Sequence, residues 1–287
     1  MTLDPRLLAR LGRRYLRRTA AQRRFPGTSI NGMPILFGNS FPKSGTHLLT
    51  QILSGFSQLG PVVLSGLPPV LSFAGDSGVL RSIAAIENEL KRLKPGDIGY
   101  GHLHAYSEVV DVLCSDGVAP FFIYRDPRDV VVSHVHYVSE INSHHVHHDF
   151  YAKQLNSFDE RLKVSIMGRP ELANPFPHIA ARFAPYLDWL DRPEILSLRF
   201  EELLSDKEKM LNKIFQHAQT RGFPYSGDNE EAVATLAAAI DPERSPTFRS
   251  GKPGAWTRNF NKEHKSLFKE LSGDLLIRLG YEKDQNW

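Results

Sequence analysis

The sequence predicts a single α/β domain in which a central parallel β-sheet is flanked by helices on both faces. Three observations carry that prediction. Short apolar runs recur along the 287 residues at MPILFGNS (33–40), VAPFFIYR (118–125) and EILSLRF (194–200), each about the length of a buried strand. Segments with apolar residues at helical spacing alternate with these runs, as the crossover connections of a parallel sheet require. The first two runs also end in turns, PKSGT and RDPRD, that feed straight into a helical pattern. With 41% apolar and 23% charged residues, a chain of this length can bury one substantial core.

Taken in order, residues 1–31 form a basic N-terminal arm with helical character, and residues 32–287 form the globular domain. MPILFGNS reads as a short central strand and HLLTQILSGF (47–56) as a helix packed on the sheet. The stretch 60–78, rich in glycine, proline and serine, is predicted to be loop, and LRSIAAIENELKRL (80–93) a helix stopped by KPGD. DIGYGHLHA (97–105) is a strand leading into a loop, EVVDVLC a short helix, VAPFFIYR a buried strand, and PRDVVVSHVHYVSE a helix with a well-placed first-turn proline. Residues 142–177 combine clustered histidines and three prolines with no sustained period, which predicts an irregular excursion serving as lid or substrate wall. HIAARFAPYLDWL reads as a helix, EILSLRF as a strand, and KEKMLNKIFQHAQ and EEAVATLAAAI as helices. The stretch 241–262 is a basic loop before a final helix from about Glu263 to Leu279.

Charge and cysteine usage narrow the function classes. The net charge is +3, but residues 1–25 hold eight arginines against Asp4 alone, a local +7 that leaves −4 for the rest. Leu3, Leu7, Leu8, Leu11, Tyr15 and Leu16 recur at near-helical spacing among those arginines. The segment therefore reads either as a helix docked on its own domain, with its arginines in water, or as a peripheral contact with an anionic membrane or acidic partner. No apolar run is long enough to span a bilayer, and the N-terminus has no apolar signal core. A single cysteine, Cys114, excludes an internal disulfide and a multi-thiol zinc site and suits the reducing cytoplasm. No nucleic-acid partner is expected.

The chemistry concentrates in FGNSFPKSGTHLL (37–49). Backbone N–H groups in a tight turn at a helix N-terminus form a donor site for an anion, reinforced by the helix dipole. Ser44, Gly45 and Thr46 are small enough for a phosphate to approach, and Lys43 adds a charge. The stretch is not a triphosphate loop of the form G-x-x-x-x-G-K-[ST], because Pro42 precedes Lys43. Nor does an apolar strand end in a plausible magnesium aspartate.

These residues resemble the sulfotransferases that use 3′-phosphoadenylyl sulfate (PAPS), whose fold is of the P-loop nucleotide-hydrolase type. PKSGT (42–46) is similar to the family's 5′-phosphosulfate loop, YRDPRDVVVSHVHY (124–137) to its 3′-phosphate segment, and FRSGKPGAW (248–256) to its C-terminal arginine-glycine loop. Their order and spacing agree over residues 34–281. The resemblance implies a transferase moving a sulfuryl group from PAPS to an acceptor hydroxyl, with release of adenosine 3′,5′-bisphosphate (PAP). It places Lys43, Ser44, Gly45, Thr46 and His47 around the 5′-phosphosulfate. Arg125 and Ser133 fall on the 3′-phosphate, Arg249, Ser250 and Gly251 over that phosphate, and Phe200 against adenine, where tyrosine is more usual. His47 and Leu48 stand where the family often has Thr-Trp, and Tyr100 where it often has lysine. A small-molecule, lipid or carbohydrate hydroxyl is the implied acceptor. KEHKSLFKE (262–270) approximates the family's dimer motif, so a homodimer is a further expectation.

Transfer to an alcohol needs a base for the hydroxyl and a cation for the charge on the departing oxygen. GHLHAY offers His102 and His104, which share a face if extended. The family's T-H-L-P pattern puts the base at His102, Lys43 on the bridging oxygen, and Ser133 as the residue that positions Lys43. His104 and His178 remain candidate acceptor contacts. The histidines at 134, 136, 144, 145, 147 and 148 lack cysteine companions, and they are read as a solvated or substrate-lining loop with no metal. Trp189 and Trp256 are read as packing anchors. Two competing readings stay open: an adenosine-bisphosphate binder without catalysis, and a kinase-like phosphoryl transferase.

Overall fold

In the centre of the molecule, the all-apolar stretch Ile35–Phe37 enters a strand whose two neighbours are the other two most buried strands. The computed structural model describes residues 5–75, 77–173, 175–244 and 252–287. The chain runs α1 (Pro5–Arg24), β1 (Ile35–Ser40), α2 (Thr46–Gly55), β2 (Val63–Leu64), β3 (Val70–Leu71), α3 (Ile83–Leu90), β4 (Asp97–His102), α4 (Ser107–Cys114), β5 (Val118–Tyr124) and α5 (Pro127–His136). It continues through α6 (Phe158–Met167), α7 (Ile179–Phe183), β6 (Leu196–Arg199), α8 (Phe200–Ser205), α9 (Lys207–Thr220), α10 (Asn229–Ala238), α11 (Trp256–Asn259), α12 (Lys262–Ser272) and α13 (Leu275–Arg278). The sheet order is β2-β4-β1-β5-β6, with β3 also on β4, and every described ladder is parallel.

Both faces of the sheet are covered, which is why its inner strands read as unbroken apolar runs. Phe37, Phe122 and Tyr124 point toward α3, α4, α5, α6 and α12, while Leu36, Phe121 and Ile123 point toward α2, α9 and α10. Alternate residues of one strand thus feed opposite cores. Each fully buried Phe or Leu here contributes about 1.5–3 kcal/mol of apolar transfer.

Several elements depart from expectation for identifiable reasons. Residues 60–78 are not all loop, since β2 and β3 add short parallel rungs to β4. Residues 142–177 are not wholly irregular. Ser157 accepts from Glu160 N at 3.1 Å, Glu160 reaches back to Asn156 N at 2.6 Å, and this near-capping box starts α6, which packs on α5 and α12. Two π-helical turns, Tyr137–Ile141 and Phe150–Gln154, precede it. The helix expected over 178–190 is α-helical only through Phe183, after which Pro185 belongs to a 3-10 stretch, Ala184–Asp191. The final helix breaks at Gly273, φ 54°, into α12 and α13.

The N-terminal arm is a helix docked on its own domain, but not with all its arginines in water. Arg14 is buried against the fully buried Asp97 carboxylate, which Arg18 also contacts at 3.1 Å and which accepts from Lys94 N at 2.8 Å. Arg17 donates to the Leu64 carbonyl at 3.2 Å. Leu8, Tyr15 and Leu16 face outward, 50%, 70% and 67% exposed. Among the described residues no helix is long and apolar enough to cross a membrane.

Candidate active site

Strand order dictates which loops meet. Because β1 lies between β4 and β5, the segments leaving their carboxyl ends fall side by side: residues 41–45 in the middle, His102 on one flank, Arg125 on the other. Three stretches far apart in sequence therefore share one edge of the sheet.

The middle segment is built to accept an anion. Lys43 has φ 68° and Gly45 φ 101°, a pair of left-handed residues that turns successive backbone N–H groups toward one concavity. Lys43 is the single non-glycine residue with positive φ among the described residues, a local strain of the kind held at functional sites. Gly45 cannot carry a side chain, since a Cβ there meets Phe200 at 2.6 Å. It is also the N-cap of α2 and supplies no side-chain cap. Ser82, Asp126, Ser157, Asp228 and Asn261 do cap α3, α5, α6, α10 and α12. The first-turn donors of α2 are left for a ligand. Ser44 Oγ is buried without a partner, and so is Arg125 Nε. Two orphaned donors beside an uncapped helix start fit a bound phosphate or sulfate group.

Lys43 lies with its Nζ 3.9 Å above the Tyr137 ring. Burial, with Arg125 adding repulsion, lowers its pKa to about 8. An anion arriving beside it would reverse both effects. His47, in the first turn of α2, is half-buried, and its pKa is lowered by burial and by Lys43.

His102 ends β4. Its Nδ1 lies 2.9 Å from the Ser40 carbonyl and 3.0 Å from Ser40 Oγ. A carbonyl can only accept, so Nδ1 carries the proton and Nε2 keeps its lone pair. Burial lowers the His102 pKa; the Ser40 carbonyl opposes this, and His47 and Lys43 add to it. The imidazole is neutral at pH 7. Ser40 Oγ also lies 2.8 Å from Thr46 Oγ1, tying His102 to the anion loop. Beyond His102 the chain is clamped: Asn39 donates to Leu103 O at 3.0 Å and accepts from Leu103 N at 2.8 Å, and Trp189 Nε1 donates to the same carbonyl at 2.7 Å. Trp189 is the packing anchor expected of it, and Trp256 stacks under Arg128 at 3.9 Å.

His104 has a different environment. It is buried, its Nδ1 3.2 Å from Tyr106 OH and its ring against Phe73 and Tyr186, and burial lowers its pKa to about 4. Regular strand stops at His102, so the shared-face geometry of a continuous strand does not extend to His104. His178 stands at the N-cap of α7 with its Nδ1 buried and unpartnered.

On the other flank, Arg125 lies 4.6 Å over the Phe200 ring and donates to Asp129 at 3.1 Å and to the Lys252 carbonyl at 3.2 Å. Phe200 is thus buried between the Gly45 turn and a guanidinium. Asp129 was not apparent from the sequence. It is buried and also accepts from Gly254 N at 2.8 Å and Trp256 N at 2.9 Å, so it anchors the segment next to the basic loop. Arg249, Ser250 and Gly251 lie outside the described residues. Ser133 is half-buried on α5, two turns after Arg125. Asn39 and Ser40 were also missed, although they stand in the apolar run ahead of PKSGT; two polar residues at a buried strand's end were the available signal. Among the described residues, no group of three or more His, Cys, Asp or Glu side chains is arranged to hold a metal ion.

A family model described as the sulfotransferase domain matches residues 121–280, more than half of the chain. The chain belongs to the sulfotransferase domain family. The matched part of the chain runs from β5 through α13, so it contains Arg125 and Ser133 but neither the anion loop nor His102, which the sheet order brings to it. A flavonol sulfotransferase-like protein of Flaveria bidentis is 21% identical over 196 residues, 61% of this chain and 60% of that protein's length. The mouse sulfotransferase SULT7A1 complexed with PAP is similar over 88% of this chain and 85% of its own, with 20% identity and a TM-score of 0.59. Retinol dehydratase in complex with androsterone and inactive cofactor PAP is similar over 86% and 83%, with 18% identity and a TM-score of 0.56. These structures share this chain's α/β fold, with a central parallel sheet flanked by helices.

Proposed function

We propose that the protein transfers a sulfuryl group from PAPS to an acceptor hydroxyl and releases PAP, by in-line displacement without a metal. The observation that carries this reading is the fixed tautomer of His102: a neutral imidazole with its Nε2 lone pair free of Ser40, on the same sheet edge as Lys43 and the PKSGT turn. His102 Nε2 takes the hydroxyl proton as the acceptor oxygen bonds to sulfur. The bond from sulfur to the bridging phosphate oxygen breaks, and Lys43 neutralises the charge left on that oxygen. Ser133 orients Lys43. Ser44, Gly45, Thr46 and His47 hold the 5′-phosphosulfate, and Arg125 and Ser133 the 3′-phosphate, with Arg249, Ser250 and Gly251 closing over it. Phe200 supports the nucleotide through Arg125, whose guanidinium covers its ring.

The acceptor belongs to the small-molecule, lipid or carbohydrate hydroxyls, and the single cysteine supports a cytoplasmic setting. The outward Leu8, Tyr15 and Leu16 among arginines support peripheral contact with anionic membrane, which flotation with anionic vesicles tests against a chain starting at Gly32. The test of the activity is incubation with sulfur-labelled PAPS and a panel of phenols, sterols, lipids and sugars, run beside labelled ATP with magnesium. Label transfer from PAPS without added metal is expected. PAP binding without transfer would mark a degenerate binder, and magnesium-dependent phosphate transfer a kinase.

A further inference from the structure

Beyond Lys43, the acceptor side carries an unusual charge pattern. The Tyr137 ring under Lys43 is 5.9 Å from His145, which is 6.0 Å from His134 and 5.4 Å from His147. His134 stacks on Phe176 at 5.0 Å, and the Arg182 guanidinium lies 4.4 Å from the centre of the same ring. A continuous belt of aromatic rings, imidazoles and cations thus runs from Lys43 to Arg182.

Among the described residues, Arg182 has no balancing anion. Arg182 donates to the Ser165 carbonyl, its Nε is buried without a partner, and among the described residues no carboxylate pairs with it. Burial lowers its pKa to about 10. The nearby carboxylate of Glu171 is taken by Arg169 at 2.9 Å. Hydrogen bonding fixes two of the imidazoles. His147 N donates to His145 Nδ1 at 3.2 Å, so His145 carries its proton on Nε2 as a donor. Ser165 Oγ donates to Val131 O at 3.1 Å and so receives the proton of His134 Nδ1 at 2.9 Å, which fixes Nδ1 as the protonated nitrogen of His134. His178, with its own unpartnered Nδ1, sits one helical turn before Arg182. A half-buried guanidinium beside an aromatic face, with spare donors and no acid, is complementary to a ligand that brings the missing charge.

We propose that the acceptor is a hydroxyaryl or similarly flat hydroxyl compound bearing a carboxylate or equivalent anion, whose charge is received by Arg182. This inference rests on the sulfuryl-transfer reading for the role of the ligand, but its physical content is an anion preference that binding alone reports. The apolar body lies against Tyr137 and Phe176, and the hydroxyl is directed back toward Lys43 and His102.

The test is calorimetric binding of hydroxyphenylpropionate and of its uncharged amide to the full chain saturated with PAP, repeated with Arg182→Met and Arg182→Lys. The wild type should bind the carboxylate about ten- to a hundredfold more tightly than the amide. Arg182→Met should erase that preference, and Arg182→Lys retain part of it. Equal affinity for acid and amide, binding of neither, or a full preference surviving in Arg182→Met would overturn the proposal. If Arg182→Met does not fold, the wild-type comparison decides alone. Label transfer from PAPS, assayed separately, reports on the activity: an anion preference without transfer would remove the catalytic reading and leave the binding site.

Discussion

The donor edge and the acceptor belt are built by opposite means. At the donor edge, Ser40, Asn39, Thr46, His102 and Leu103 are joined by hydrogen bonds between adjacent strand ends, so the base and the anion loop share one rigid frame. Across Lys43, the belt is carried by π-helical turns and short helices, and its polar groups Tyr151 OH, His178 Nδ1 and Arg182 Nε are buried without partners. On the proposed reading, the contrast teaches where adaptability sits: a single nucleotide would meet a preorganised edge, while the second substrate would meet a surface whose donors are unspent.

Removing the cation at the junction of the two regions should have the largest effect. Lys43→Ala is expected to lower turnover roughly a hundred- to thousandfold, because the charge on the departing oxygen loses its counter-ion. Steady-state assay with saturating PAPS checks this. A loss confined to KM would mean that Lys43 only binds the donor.

Acid should separate the regions next. Burial lowers the pKa of His104 and His147 to about 4 and that of His134 well below its usual value. The unfolded chain takes up protons at His104 and His147 below about pH 6.5, whereas the folded chain does not until near pH 4. The stability from these two is therefore full above pH 6.5 and falls as the pH drops toward 4, by about 2 kcal/mol for each of them at pH 5; His134 contributes in the same direction. Since His134 and His147 belong to the belt, Tm between pH 7 and 5 should fall less in His147→Phe than in the wild type. An unchanged slope would show that this imidazole is not buried neutral.

The smallest predicted signal is a proton. With Lys43 at about 8, half of the free protein is deprotonated there at pH 8, and binding of PAP should restore the charge. Calorimetry at pH 8 in two buffers of different ionisation enthalpy should report uptake of about half a proton, with affinity declining at higher pH. Lys43→Met should abolish the uptake.

How much of this was legible beforehand follows from the physics of each signal. Strands β1 and β5 were legible because burial on both faces leaves apolar runs, and α2 and α5 because they follow those runs. The β2 and β3 rungs were not, being two residues each and specified only by pairing to β4. Nor was α6, although Ser157 and Glu160 carry a cap signature, because the helix is short and lies between a histidine cluster and a proline-rich stretch. In the site, PKSGT was visible as charge beside small residues, and Arg125 through the resemblance of YRDPRDVVVSHVHY to a 3′-phosphate segment. Asn39, Ser40 and Asp129 act through backbone groups brought close by strand order, and no local spacing encodes that. The pair His102 and His104 marks the same limit: two residues apart in sequence, one meets a carbonyl at the sheet edge and the other an aromatic cluster.

The most direct test of the account is His102→Ala, measured for sulfuryl transfer from labelled PAPS and for PAP affinity on the same preparation. The account predicts a fall in turnover of roughly a hundred- to ten-thousandfold with PAP affinity changed less than about threefold. Turnover near the wild-type rate would place the base elsewhere and contradict it.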